Sequence, residues 1–244
     1  MKKLSLSNLT HLVPLAGLVN LERLVSLAPL LLLVALSSCS ENDGEWNPYY
    51  DWQGRNTQWF AQAADSARTA IAKAKAQYGD AWEAHCQWRM FKSLQRSTFI
   101  QGPVTDSIVC KVVSSGATTG NQPDTINYSD TVRLHYRGWL MPTEYLTTDK
   151  TRKELKMTVF SQTYYGTFNP ATAAPVTMPV SSTVEGFQTA LQHMAAGDTW
   201  YVYIPQQLAY GSQTSEAVPA YSTLLFLLNI VGKYETGQGV PDWK

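Results

Sequence analysis

The sequence predicts an α+β fold, with a mostly antiparallel sheet wrapped over one amphipathic helix and a helical extension at the N-terminal side. Three observations carry this. From residue 107 onward, apolar residues recur with period two in short runs, separated by turns containing Gly, Pro and Asp. One strongly helical pattern interrupts those runs, between Ser182 and Gly197. Strands and helices do not alternate as they would in a parallel doubly wound sheet, which argues against that architecture.

The extension occupies 46–104. Trp46, Tyr49, Tyr50 and Trp52 open it. Phe60, Ala64, Ala67, Ile71, Ala74 and Tyr78 then fall at steps of three and four, which predicts a helix capped by Asn56. Asp65 and Arg68 can pair on its outer face. Gly79-Asp80 breaks it, with Lys73 and Lys75 favourably placed near the C-terminus. A second helix is predicted over 82–91. The aromatic residues here read either as a glycan or peptide surface or as packing against the main domain.

The main domain spans 105–235, followed by a tail over 236–244. Ile108, Cys110 and Val112 alternate with Ser107, Val109 and Lys111. Val132, Leu134, Tyr136 and Gly138 face one way on the next strand. Arg133, His135, Arg137 and Trp139 face the other, which predicts a solvent-facing His135. Residues 141–157 read as a long polar connection, Val159-Phe160 as a resumed strand, and 175–180 as an edge strand with prolines near its ends. Ser182 and Glu185 match a capping box. Val184, Phe187, Leu191 and Met194 form the apolar stripe of the helix, and Gly197 is its C-cap candidate. Tyr201 and Tyr203 follow as sheet residues.

Composition limits the function classes. At 44% hydrophobic and 16% charged residues, the chain is globular rather than disordered. Lys+Arg and Asp+Glu are equal at 19 each, so no basic excess favours a nucleic-acid partner. The N-terminus reads as a targeting segment. Lys2 and Lys3 open it, and 24–36 is almost purely apolar, shorter than the roughly 20 residues of a spanning helix. It ends Leu36-Ser37-Ser38-Cys39, which resembles a bacterial lipobox. The expectation is a lipoprotein signal peptide over 1–38, with Cys39 lipidated as the mature N-terminus, and a short acidic tether over 39–45. An ordinary signal peptide cut nearby and an uncleaved anchor are the alternatives. Cys86 and Cys110 either pair in an oxidising compartment or act as small apolar residues; their spacing fits no metal motif. No metal or other cofactor is expected.

The segment 183–231 holds no nucleophile, metal cluster or phosphate loop. Aromatic and aliphatic side chains converge there from separate elements, which describes an apolar pocket. The pieces LHYRGWL (134–140), VFSQTY (159–164), VEGFQTALQHMAAGD (184–198), YIPQQLAYG (203–211) and VPAYSTLLFLL (218–228) together resemble the FK506-binding-protein (FKBP) type of peptidyl-prolyl isomerase. Each piece is weak alone; in this order, across about 105–235, they are specific. The helical prefix, the 141–157 insertion and the final GVPDWK are similar to lipoprotein members from Bacteroidota.

The resemblance implies a half-barrel antiparallel sheet around one helix, with a pocket between them. It implies isomerisation of Xaa-Pro bonds in proline-containing polypeptides, assistance to the folding of exported proteins, and binding of FK506- or rapamycin-type ligands. Tyr136 and Phe160 become walls, Phe187 the floor, Val184 the backbone donor, Tyr210 a hydroxyl, and Phe226 further lining. Thr183, Val218, Val176 and Ser161 become substrate-contacting positions. Three departures stand out. Ser161 replaces the usual Asp, Phe187 the usual Trp, and loop 212–217 lacks the His often found there. Two other roles follow from these features: a peptide-binding or chaperone module without turnover, favoured by Ser161, and an adaptor working through the aromatic prefix. With the lipid anchor, the expected location is the cell envelope, at the outer membrane, on either its periplasmic or its surface side.

Overall fold

A computed structural model describes residues 47–97, 99–116, 125–148, 153–215 and 217–243. The expected signal peptide, the tether and Cys39 lie outside the described residues.

Helix α1 runs over Trp52–Tyr78. Its middle is rich in alanine, the strongest helix former, and it stops at Gly79, whose φ of 54° favours glycine. Phe60, Ala64 and Ala67 are buried against Val109 in a core of their own. Tyr78 is exposed and stacks on His85, with ring centroids 3.9 Å apart. Asp65 and Arg68 pair at 3.2 Å. The helix starts one turn earlier than the sequence predicts. Its cap position is Asp51, without a side-chain cap, and Asn56 is fully buried inside the helix. Asn56 bonds a distant loop instead of capping.

The expected second helix is only the short α2, Trp82–His85. Trp88–Lys92 is strand β1, paired antiparallel with β2 (Ser107–Ser114) from Trp88↔Lys111 to Lys92↔Ser107. A free edge of β2 with buried residues on both faces needs a partner strand, and that outweighs the local helical pattern. The prefix therefore supplies part of the sheet as well as a helix. Because α1 covers the outer face, Val109 is as buried as Ile108 and Cys110.

The remaining strands are β3 (Thr131–Leu140), β4 (Thr143–Leu146), β5 (Lys153–Lys156), β6 (Val159–Gln162), β7 (Val176–Pro179), β8 (Thr199–Ile204) and β9 (Leu224–Tyr234). The main sheet has seven strands in the order β1-β2-β8-β9-β3-β6, with β7 also paired to β3. Every pairing is antiparallel. The polar connection after β3 is not purely loop: β4 and β5 form a separate two-stranded ribbon.

Helix α3, Glu185–Leu191, packs on the inner face. Phe187 and Leu191 join Ile108, Val202, Ile204, Leu224 and Leu228 in the main core. Gly186 permits this approach, since a Cβ there would lie 2.3 Å from Ile204 Cγ2. The capping box does not form. Val184 is the cap position without a side-chain bond, because Glu185 turns to Arg96 and Ser93. The helix also ends before Gly197, which sits at φ 89° in the following turn. There the Asp198 carboxylate accepts the Ala195 and Gly116 amides at 2.9 and 2.7 Å.

His135 is not solvent-facing: it is 1% exposed. Phe168 and Trp243 meet its ring edge-on at 5.0 and 6.5 Å. Arg133 donates to the Pro241 carbonyl and lies over Trp243. Strand alternation tells which face a residue takes; here a loop and the tail cover that face. Cys86 and Cys110 are both free thiols, and burial pushes the Cys110 thiol pKa far up.

Candidate functional site

A cavity of about 440 Å³ opens between the sheet and the start of α3. It is lined by Tyr136, Phe160, Ser161, Met178, Ser182, Thr183, Val184, Phe187, Tyr210, Ser215, Ala217, Val218 and Phe226. Nine of these positions are the sequence's own candidates. The tenth, Val176, is not on the wall; it packs against the core on β7, and Met178, on the same side of that strand, lines the cavity instead. The sequence reading also missed Ser182, Ser215 and Ala217.

Phe226, on β9, is the hub. Phe187, Phe160 and Tyr136 meet it edge-to-face at centroid distances of 5.0, 5.3 and 6.1 Å. Tyr136 also meets Phe187 at 6.2 Å and 87°. Such pairs contribute about 0.5–1.5 kcal/mol each beyond burial. The rings therefore hold one another at fixed angles before any ligand arrives. Gly138, opposite Phe226 in the β3–β9 register, makes room for them. A Cβ there would lie 2.6 Å from Phe226 Cε1 and 2.8 Å from Phe160 Cζ.

Polar groups frame this apolar floor. The Tyr136 hydroxyl and Ser161 Oγ share a hydrogen bond of 3.0 Å. Thr163 fixes the Tyr136 backbone, its amide donating to the Tyr136 carbonyl at 2.9 Å and its Oγ1 accepting the Tyr136 amide at 3.0 Å. Thr183 Oγ1 donates to the Val180 carbonyl at 2.9 Å, and the Thr183 carbonyl accepts Gln188 Nε2 at 2.5 Å. The Val184 amide, one residue ahead of α3, has no acceptor inside that helix. Tyr210 is partly exposed at the mouth. Among the described residues, the lining holds no Asp, Glu, Lys, Arg or His side chain.

The start of α3 is tied to the segment after β1. Arg96 grips both carboxylate oxygens of Glu185, at 2.9 and 3.0 Å, and Ser93 Oγ donates to Glu185 Oε1 at 2.6 Å. Gln95 Nε2 donates to Gln188 Oε1 at 2.6 Å. Local sequence carries no signal for these contacts, because the partners lie about ninety residues apart. Among the described residues, no group of three or more His, Cys, Asp or Glu side chains could hold a metal ion. What the arrangement offers chemically is a preshaped aromatic recess, with the Val184 backbone donor position and the hydroxyls of Tyr136, Ser161, Thr183 and Tyr210 around it.

The family model for FKBP-type peptidyl-prolyl cis-trans isomerase matches residues 122–231. The chain is 31% identical to the peptidyl-prolyl cis-trans isomerase Mip of Coxiella burnetii over 122 residues, covering 50% of this chain and 42% of the relative. It is equally identical, with the same coverage, to the outer membrane protein MIP of Legionella longbeachae. It is 32% identical to the FKBP-type 22 kDa peptidyl-prolyl cis-trans isomerase of Escherichia coli over 104 residues, covering 42% of this chain and 41% of that one. The chain thus spans about two fifths of the length of these relatives. Over residues 122–231 the chain is thus similar to the FKBP-type peptidyl-prolyl cis-trans isomerase family.

Proposed function

We propose that this protein is a peptidyl-prolyl cis-trans isomerase that binds Xaa-Pro segments of polypeptides in the aromatic recess. The carrying observation is the Phe226-centred ring cluster under the rim of Tyr136, Val184 and Tyr210. Rotation about the prolyl bond is opposed by amide resonance, a barrier of about 18–20 kcal/mol. An apolar recess disfavours the charge-separated resonance form, so the bond twists more easily. Phe187, Phe160 and Phe226 would take the proline ring. The Val184 amide would bind the substrate carbonyl, and the Tyr210 hydroxyl would lie at the mouth. Donors that bind the twisted form better than the planar one lower the barrier. This chemistry needs no acid, base or metal.

Ser161 favours a second reading, in which the pocket binds prolyl peptides without turnover. The Tyr136–Ser161 hydrogen bond supports the first, because a neutral pair here orders the Tyr136 hydroxyl. A protease-coupled or NMR exchange assay on a short Xaa-Pro peptide separates them. Turnover abolished by FK506 supports the isomerase. Binding without turnover, with turnover appearing in Ser161→Asp, supports the binding module.

The physiological reading is assistance to the folding of exported proteins, from a lipid anchor on Cys39 in the cell envelope, at the outer membrane. The Leu36-Ser37-Ser38-Cys39 sequence supports it. So does the name of the Legionella longbeachae relative, an outer membrane protein. Labelling with a radioactive fatty acid should mark the wild-type protein and not Cys39→Ala; equal labelling of both rules out the anchor.

A further inference from the structure

We propose that Asn56, on the far side of the sheet from the pocket, is a positioning residue for the pocket lip, with Trp52 as its partner. This inference rests on the reading of the cavity as a prolyl site. The lip is the loop that leaves β8 and returns to β9, and it carries Val218 to the cavity. Its base is closed by the Tyr221 amide on the Gly211 carbonyl at 2.7 Å, and its tip by the Ser215–Val218 bridge. Tyr221 sits at φ 62°, a left-handed conformation that a bulky residue keeps only when its surroundings enforce it.

The enforcing contacts come from the first turns of α1. Asn56 Oδ1 accepts the Thr223 amide at 2.8 Å, and the Asn56 carbonyl accepts Thr223 Oγ1 at 3.2 Å. Trp52 Nε1 donates to Ser222 Oγ at 2.9 Å, and Ser222 Oγ donates on to the Pro219 carbonyl at 2.6 Å. Asn56 Nδ2 is held by the Trp52 carbonyl at 2.7 Å, so the amide cannot turn away. Asn56, Ser222 and Thr223 are all buried, and water cannot replace a lost partner there. The grip falls between Val218 on the lip and Phe226 at the hub. Loosening it lets both lining residues leave the binding geometry together. Apparent affinity then falls by the fraction of molecules that stay closed.

The test compares Asn56→Ala with Phe60→Leu. The second weakens the same helix against the sheet without touching the loop. For turnover of a short Xaa-Pro peptide, Asn56→Ala should raise KM on the order of threefold to tenfold. Phe60→Leu, at comparable loss of unfolding midpoint, should leave KM within about twofold. Hydrogen exchange should accelerate at 217–223 in the first variant alone. Trp52→Phe, which removes the indole donor together with part of a buried ring, should shift both readouts in the same direction by less, and serves if Asn56→Ala does not fold. Unchanged KM and loop exchange in Asn56→Ala and Trp52→Phe, or an equal KM rise in Phe60→Leu, overturns the proposal. If wild-type protein neither turns over nor binds the peptide, the prolyl-site reading fails instead. Loop exchange then decides the role of Asn56 alone.

Discussion

Gly138→Ala tests the packing of the recess with one added carbon. The new Cβ would stand 2.6 Å from Phe226 Cε1 and 2.8 Å from Phe160 Cζ. Carbon atoms pack best at about 3.5–4.0 Å, so the rings must give by about 1 Å. Phe226 cannot yield alone, because Phe187 and Tyr136 meet it edge-to-face. Overpacking of this kind costs about 1–3 kcal/mol. Alanine returns about 0.5–1 kcal/mol, since glycine inside a strand is the more entropically costly residue. Clash outweighs propensity over most of these ranges, and the net loss should be up to about 2.5 kcal/mol. The assay is the urea midpoint of unfolding together with KM for a short Xaa-Pro peptide. Both should worsen in Gly138→Ala. Phe160→Leu in the Gly138→Ala background should recover part of the stability, because a smaller side chain vacates the contact. A Gly138→Ala protein as stable and as active as wild type, with the rings unmoved, would refute the claim that the recess is preshaped by this contact.

Tyr210→Phe should reduce turnover by less than Phe226→Ala, because removing the hub ring empties the floor while the mouth loses one hydroxyl; the reverse order of kcat/KM contradicts a shape-driven mechanism. Glu185→Ala removes the carboxylate gripped by Arg96 and Ser93. It should cost about 1 kcal/mol in chemical denaturation, since Arg96 is partly exposed and solvent discounts the pair. A loss above several kcal/mol would show that the tie is worth far more than its exposure allows. Burial holds the His135 imidazole below the ordinary histidine value, with the Arg133 and Arg137 side chains on the same strand face. The unfolded chain then binds the proton more readily, so stability should fall as pH drops through about 6.5 and level off below the folded value. His193 is shifted in the same direction by burial. His135→Phe should therefore reduce, not abolish, the difference in Tm between pH 8 and pH 5; an unchanged difference counts against a buried neutral His135.

Much of the fold was legible because its signals are local. The alternation of Val132, Leu134 and Tyr136, and the stripe of Phe187 and Leu191, each fit within one element. The ring cluster was legible only as a set of pieces in order, since no single aromatic residue distinguishes a pocket from a core. What escaped the sequence is set by distant partners. Asn56 looks like a cap because asparagine favours caps, yet it meets Thr223, 167 positions away. Glu185 looks like half of a capping box, but Arg96 binds it more strongly than a backbone amide would. His135 lies on an alternating face that the tail later covers. Strand β1 is five residues long, too short for its period to stand out beside a helix. Val176 and Met178 share a strand face, so alternation could not choose which of them reaches the cavity.

The most direct test is cis–trans exchange of a short Xaa-Pro peptide, followed by NMR with and without the purified protein. Uncatalysed exchange takes tens to hundreds of seconds. Substoichiometric wild-type protein should bring it into the range of exchange spectroscopy, FK506 should abolish the effect, and Phe226→Ala should lose most of it. Exchange that stays at the uncatalysed rate, with the peptide demonstrably bound, would contradict catalysis by this recess.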